Sequence, residues 1–401
     1  MAGFYTNGLP LVTSLTGAEL LPVDTQYSQG VAPQVGAISV SALGAGTAGV
    51  GNFRNAIDCG DFTINPWQRG TSFTGITNTL TWTADRFAAI GGASSSISVS
   101  RQAITAIPGF TQALQWGRAA ANANTAQINL GQALESSVSA KFQTRNVTLS
   151  FYALAGANFS SSLGKLNVVL AYGTGTDQST ANLIAGSWTG QTSLTPLSQT
   201  VTVVSSGVQT AIGSAVSYAL PTTVWQRFAF TYLVPAAATQ LGFYVNFSPV
   251  GTAGSNDWIQ FAGFQLEDGQ YASIYEHKSP LVDLEVAQRF AYVINEAAAG
   301  VVQTPVGTTQ GTTTTCTTYI PFPAAMRAAP TYTNTLSAST FKLVSASQTA
   351  TALSTPFSAT LAANTVNGAS VNFTTTGMTA KDSCFIVGAA GSGSMVFTAD
   401  L

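Results

Sequence analysis

Residues 146–154 read "NVTLSFYAL", and they alternate. Val147, Leu149, Phe151 and Ala153 fall on one side of an extended chain, with Thr148, Ser150 and Tyr152 on the other. A period of two with one apolar face is the pattern of an antiparallel strand laid over a core on its dry side. Similar runs recur through the middle of the chain, among them "SSISVSRQ", "KLNVVLAYG", "QRFAFTYLV" and "LGFYVNFSP". Each is rich in Val, Phe, Tyr, Leu or Thr and is bounded by Gly, Pro, Asn or Ser. Many such strands in one region of this size predict a jelly-roll β-sandwich.

Outward from that region the chain divides into four parts. Residues 1–51 mix short apolar pieces with Pro22, Pro33 and several glycines, and show no helical period that closes a core. They read as an extended N-terminal arm, with Leu20, Leu21, Val23 and Tyr27 as candidate docking residues. Gly44, Gly46 and Gly49 spell G-x-G-x-x-G, but no helix start follows, so the stretch reads as a linker and not as a dinucleotide loop. Residues 52–278 form the expected jelly roll. In residues 279–296, Ser279 is an N-cap, Pro280 opens the helix, and Asp283 and Glu285 lie in the first turn. Leu284, Ala287, Ala291 and Ile294 then form a stripe, which predicts one linking α-helix of about four turns. Residues 297–401 return to Thr-rich strands. The predicted fold is all-β: arm, jelly-roll β-sandwich, linking helix and small C-terminal β domain.

Composition narrows the function. Only 7% of the 401 residues are charged, against roughly 25% in an average globular protein. A hydrophobic fraction of 45% and a mean hydropathy of +0.25 supply a large core. Surface hidden by neighbouring subunits is a second source of low charge. Net charge is −2, and Arg69, Arg86, Arg101, Arg118 and Arg145 are scattered singly. That is no electrostatic footprint for nucleic acid. No apolar run reaches membrane-spanning length, so no membrane insertion is expected. The start "MAGFYTNGLPLV" lacks a secretion signal. Cys59, Cys316 and Cys384 are odd in number, match no metal-ligand spacing, and fit synthesis in a reducing cytoplasm.

Groups that do chemistry are few. His277, in "YEHKSP", is the only histidine, so any triad passes through it; it reads as an ordinary junction histidine. Asp58, Asp61, Asp257, Glu267, Asp268 and Glu276 are the carboxylates of interest. Asp61 and Glu267 fall in the expected first and last strands of the roll. As neighbours they have the chemistry of a glycoside-hydrolase pair or of hard-oxygen ligands to a structural calcium, although plain hydrogen bonding is the simpler reading. No catalytic residue, metal or cofactor is assigned. Aromatic rings are better stocked, and Trp188 in "AGSWTGQTS", Trp82 and Tyr172 are the candidates for stacking on a sugar.

One triplet occurs twice, as Trp67-Gln68-Arg69 and as Trp225-Gln226-Arg227. The first copy stands in "CGDFTINPWQRGTSFTGITNTLTWTADRFAA". This segment strongly resembles one found in tailed-bacteriophage fibre, spike and related virion proteins. The likeness runs through Asp61, Phe62, Trp67, Gln68, Arg69, Gly70, Thr71, Ser72 and Phe73, then Thr83, Ala84, Asp85, Arg86 and Phe87. It continues in "QLEDGQYASIYEHKSP", "LEVAQRFAYVINE" and "FPAAMRAAPTY", so four motifs follow in order across residues 52–332. Pro66, Ala287 and His277-Lys278 depart from the pattern. The resemblance implies a carbohydrate-binding-module-like jelly roll on a virion, usually a homotrimer. The arm, less closely similar, implies attachment to phage tail or capsid proteins. It also implies binding to host-surface polysaccharide, with a receptor-free head fibre and a polysaccharide depolymerase as alternatives. On that scaffold Trp67 anchors the core. Arg69 and Arg86 pair with Asp85, Asp61 or a neighbouring chain. Trp225 and Arg227 open a later strand of the same roll.

Overall fold

The computed structural model describes residues 20–24, 35–39, 54–162, 165–203, 209–211, 217–219, 224–295, 307–309, 313–335, 341–345, 358–374, 379–388 and 393–401. It is nearly all β. In the N-terminal segment Leu20–Asp24 pairs antiparallel with Val35–Ser39. Leu20, Leu21 and Val23 therefore sit on a two-stranded ribbon. Tyr27 and the Gly44–Gly49 linker lie outside the described residues.

Two antiparallel sheets face each other in the middle of the chain. One has eight strands, ordered Gln209–Ala211, Ser198–Val203, Gln226–Leu233, Asn146–Ala155, Trp258–Asp268, Gln112–Arg118, Ile97–Ala103 and Ser72–Ile76. The other has seven, with Thr192–Ser193, Lys165–Gly173, Gln240–Phe247, Ile128–Ala133, Ala88–Ile90 and Thr81–Trp82 in a row, and Ser217–Ala219 also on Lys165–Gly173. The alternation in residues 146–154 sorts as expected. Val147, Leu149, Phe151 and Ala153 enter the core between the sheets.

That core is a block of rings. Phe62, Phe87, Phe151, Phe243, Phe261 and Phe264 pack in edge and tilted contacts at 4.9–6.2 Å. Each fully buried side chain of this size contributes about 1.5–3 kcal/mol by removal from water, and this burial holds the sandwich closed.

The linking helix is shorter than its sequence pattern. It runs Pro280–Gln288, with the Ser279 side chain accepting from the Val282 N–H at 3.4 Å as expected of the cap. Ala291–Asn295 is then a strand, paired with Ser394–Thr398. The Ala287–Ala291–Ile294 spacing fits both structures. Tyr292, Val293 and Ile294 favour the strand once an edge is available to pair with. Two further helical turns, Ser136–Ser139 and Thr180–Ile184, were not expected.

The C-terminal part holds a three-stranded sheet (Ala291–Asn295, Ser394–Thr398, Thr331–Asn334) and a six-stranded sheet. Cys316 and Cys384 form a disulfide with Cα atoms 6.6 Å apart, a pairing the sequence did not suggest. They are 68 residues apart in sequence, but their strands flank Gly307–Thr309 on either side. Cys59 is free and buried.

Candidate functional site

Two polar regions stand out on the roll, and the motifs build both. The first is the junction with the C-terminal strands. Asn65 organises the loop before Trp67: its Oδ1 accepts from the Trp67 N–H at 2.9 Å and its Nδ2 donates to the Cys59 carbonyl at 2.9 Å. Trp67 thereby enters the main core. Arg69 pairs with Asp400 and lies 4.0 Å from Asp85. Arg86 is fully buried. Its Nε reaches Asp58 at 3.3 Å and its Nη2 donates to the Ala133 carbonyl at 2.8 Å. Its guanidinium carbon lies 3.4 Å from the centre of the Phe290 ring.

The later motifs meet the earlier ones here. Arg289 Nη2 donates to both Glu135 oxygens at 2.9 and 3.2 Å. Arg327 donates from Nε to the Ala399 carbonyl at 3.0 Å and from its backbone N–H to the Arg289 carbonyl at 2.8 Å. The expected partners of Arg69 and Arg86 thus need correcting. Asp85 is one, Asp61 is not, and Asp58 and Asp400 complete the set within this chain. Burial pushes the Asp85 carboxyl up to about 6, against the Gln68 N–H and Arg69. It pushes Asp283 on the linking helix up to about 7, against Lys278. Burial raises Asp400 as well, opposed by Arg69 and Arg86.

The second region is the outer face of the eight-stranded sheet. Strand Trp258–Asp268 carries a register shift between Ala262 and Gln265, where Gly263 takes φ +61°. A bulge with glycine in the left-handed region keeps both Phe261 and Phe264 in the core and sends Gln265 and Glu267 to the outer face. At Gly269, φ +123° turns the chain back, a conformation open essentially to glycine. Residues 270–277 then cross the outer face and are pinned as they go. Ser273 donates from its N–H to Glu267 Oε1 at 2.8 Å, and the Glu276 N–H donates to Gln265 Oε1 at 2.8 Å. Thr148 and Thr231, which share a hydroxyl contact of 3.0 Å, donate to the Gly269 and Gln270 carbonyls at 2.8 and 2.9 Å.

This return leaves part of the face open. A cleft of about 400 Å³ remains, lined by Thr148, Leu197, Ser198, Gln199, Thr200, Ala229, Thr231, Gln270, Tyr271 and Ala272. The ladder sets Ser198 opposite Thr231 and Thr200 opposite Ala229. Gln199 stands opposite Phe230, so its side chain falls on the core side. Tyr271 is 66% exposed, although hydrogen bonds fix the chain at Gln270 before it and Ser273 after it. An exposed ring on a braced turn beside hydroxyls is a ready surface for a ligand with an apolar face and a polar rim.

Glu267 and Asp61 do not form a pair. Glu267 holds Ser273, also through the Ser273 hydroxyl at 2.5 Å. Asp61 lies in a turn, not a strand; it accepts from the Thr63 N–H at 3.0 Å and pairs with His277. Each is thus engaged in local hydrogen bonding, the simpler of the readings its sequence position allows. Among the described residues no three His, Cys, Asp or Glu side chains are grouped to hold a metal.

The expected sugar platforms do not converge. Trp188 corrects the expectation of an exposed ring, because it is 3% exposed. Its Nε1 donates to the Ser179 carbonyl at 2.8 Å, and the ring lies over Gly242, where a Cβ would come within 2.8 Å of it. Tyr172 is half-buried against the main core. Trp82 is half-buried on an edge strand, with Arg69 5.8 Å from its ring centre. The strands of Tyr172 and Trp82 are four positions apart in the sheet, about 19 Å at the usual spacing. The second triplet has a separate role. Trp225 packs with Phe110 and Tyr275, and Arg227 sits 5.5 Å from the Tyr152 ring centre and donates to Ser150 at 3.2 Å. Tyr271 and Asp400 are what the sequence reading missed. Tyr271 stands in the closing motif just after its turn glycine, and that position is the only signal for it.

No family model matches the chain, and no curated protein matches it. Among solved structures, it is similar to the N-terminal CBM22-1–GH10 modules of the Clostridium thermocellum endo-1,4-β-D-xylanase 10B complexed with xylohexaose, at 8% identity and a TM-score of 0.25, covering 51% of this chain and 30% of that one. The CBM22-1 xylan-binding domain of Paenibacillus barcinonensis Xyn10C matches at 15% identity and a TM-score of 0.24, over 46% of this chain and 87% of that one. The tandem CBM22-1–CBM22-2 domain of the same xylanase matches at 13% identity and a TM-score of 0.27, over 86% of this chain and 92% of that one. The chain thus spans less than a third of the first of these.

Proposed function

We propose that this chain is a non-enzymatic structural protein of a tailed-bacteriophage particle that binds host-surface glycan through the outer-face cleft. The observation that carries the glycan reading is Tyr271, an exposed ring on a turn whose backbone is pinned on both sides, beside a cleft rich in hydroxyls. Binding on a pre-ordered platform avoids the entropy of ordering a loop. The four motifs in order support the virion reading. In this reading the chain is held as a homotrimer, with residues 1–51 attaching it to tail or capsid proteins.

The test is adsorption of the purified protein to host cells and to their extracted surface polysaccharide. Binding is expected, with soluble polysaccharide competing, and a protein that binds neither contradicts the reading. Light scattering at micromolar concentration checks the trimer, where a monomer would contradict it. A label on the N-terminus, located on intact particles by electron microscopy, separates tail from capsid.

A further inference from the structure

The cleft has no charge in its lining: hydroxyls, amides, aliphatic carbons and one phenol ring surround it. The charged groups nearest along its strands each make a contact outside the lining. Arg145 pairs with Asp268 at 2.5 Å. Glu267 holds Ser273. Arg227, outside the lining, donates to the Ser273 carbonyl and to Ser150. A carboxylate or sulfate entering the cleft would give up water without meeting a counter-charge, which is unfavourable. A neutral sugar meets no such penalty. Its C–H face suits the Tyr271 ring, and each of its hydroxyls both donates and accepts, as Ser, Thr and Gln side chains do.

We propose that the ligand of this cleft is a neutral saccharide, one ring stacked on Tyr271 and its hydroxyls meeting Ser198, Thr200 and Gln270. This rests on the glycan reading above and adds the chemical class. It also fixes what a new charge would do. A cation placed at Thr200, beside Ala229 on the cleft floor, converts a site that disfavours acidic chains into one that favours them.

The experiment uses the full chain, Tyr271→Ala and Thr200→Lys on an array of microbial polysaccharides divided into neutral and uronic-acid-containing sets, with unfolding midpoints checked for each protein. The parent chain is expected to bind in the neutral set. Tyr271→Ala is expected to weaken that binding about tenfold, and Thr200→Lys to shift the ranking toward the acidic set. A parent chain that prefers the acidic set, with binding still lost in Tyr271→Ala, overturns the neutral class and leaves the cleft as the glycan site. So does a Thr200→Lys protein, folded as the parent, whose ranking is unchanged. No binding to either set, or binding untouched by Tyr271→Ala, overturns the site itself.

Discussion

The junction and the cleft lie on the same roll and are built in opposite ways. At the junction, Arg69 and Arg86 are met by Asp58, Asp85 and Asp400, with Arg86 fully buried and the others largely so. At the cleft, nothing charged lines the walls and the largest side chain points outward. In a chain with so little charge, the junction spends several charged groups on locking two parts of the fold together. In the proposed reading, recognition falls to the neutral groups of the cleft, whose strength does not depend on a partner already buried in the same chain.

Removing Arg86 tests the locked side with the largest expected effect. Arg86→Met leaves Asp58 without its buried counter-charge and Asp400 with Arg69 alone, and should lower the unfolding free energy by about 3–5 kcal/mol in denaturant titration. Saccharide affinity should be unchanged. A matching fall in affinity would mean that the two regions are coupled.

Acidity sharpens the contrast next. Asp283, Asp85 and Asp400 all sit above the ordinary carboxylate value because of burial, so the folded chain holds their protons more tightly than the unfolded chain. Their contribution to stability is full below about pH 4 and is lost as pH rises through about 6 for Asp85 and about 7 for Asp283. Unfolding free energy should therefore be higher at pH 5.5 than at pH 7.5, by about 2–3 kcal/mol, read from denaturant midpoints. Neutral-saccharide binding should be flat over that interval, since no carboxylate, histidine, lysine or arginine lines the cleft. A midpoint that falls on acidification would contradict the assignment of these protonated carboxyls.

On the cleft side, Tyr271→Ala should reduce affinity by about 1 kcal/mol or more in calorimetry, with stability within about 0.5 kcal/mol of the parent. Glu267→Gln is the smallest perturbation. Replacing a charged acceptor with an amide should weaken the hold on Ser273 by about 1 kcal/mol, read as faster amide exchange at Ser273. Affinity should drop only a few-fold. An unchanged exchange rate would remove Glu267 from the bracing of the Tyr271 turn.

Much of the fold was legible because it is written in local pattern. The period-two runs, the Ser279-Pro280 helix start and the core roles of Phe151 and Trp67 depend on neighbours a few residues away. The helix end was not legible, since residues 291–295 become a strand only through Ser394–Thr398, a hundred residues on. The same holds for Cys316 with Cys384 and for Asp400 with the arginines. For the site, the family-like motifs pointed to architecture, and each of Gln265, Glu267 and Gly269 proves to hold or turn the return segment. Trp188 misled because its loop composition says nothing of the space Gly242 leaves beneath it. Tyr271 escaped notice because exposure is a property of the folded turn and not of its letters.

The most direct measurement is a structure of the full chain with a bound neutral oligosaccharide drawn from its own polysaccharide ligand. One sugar ring is expected to lie flat on Tyr271, with its hydroxyls at Ser198 and Thr200. Density for the sugar on the seven-stranded sheet, or a cleft left empty at saturating oligosaccharide, would contradict it.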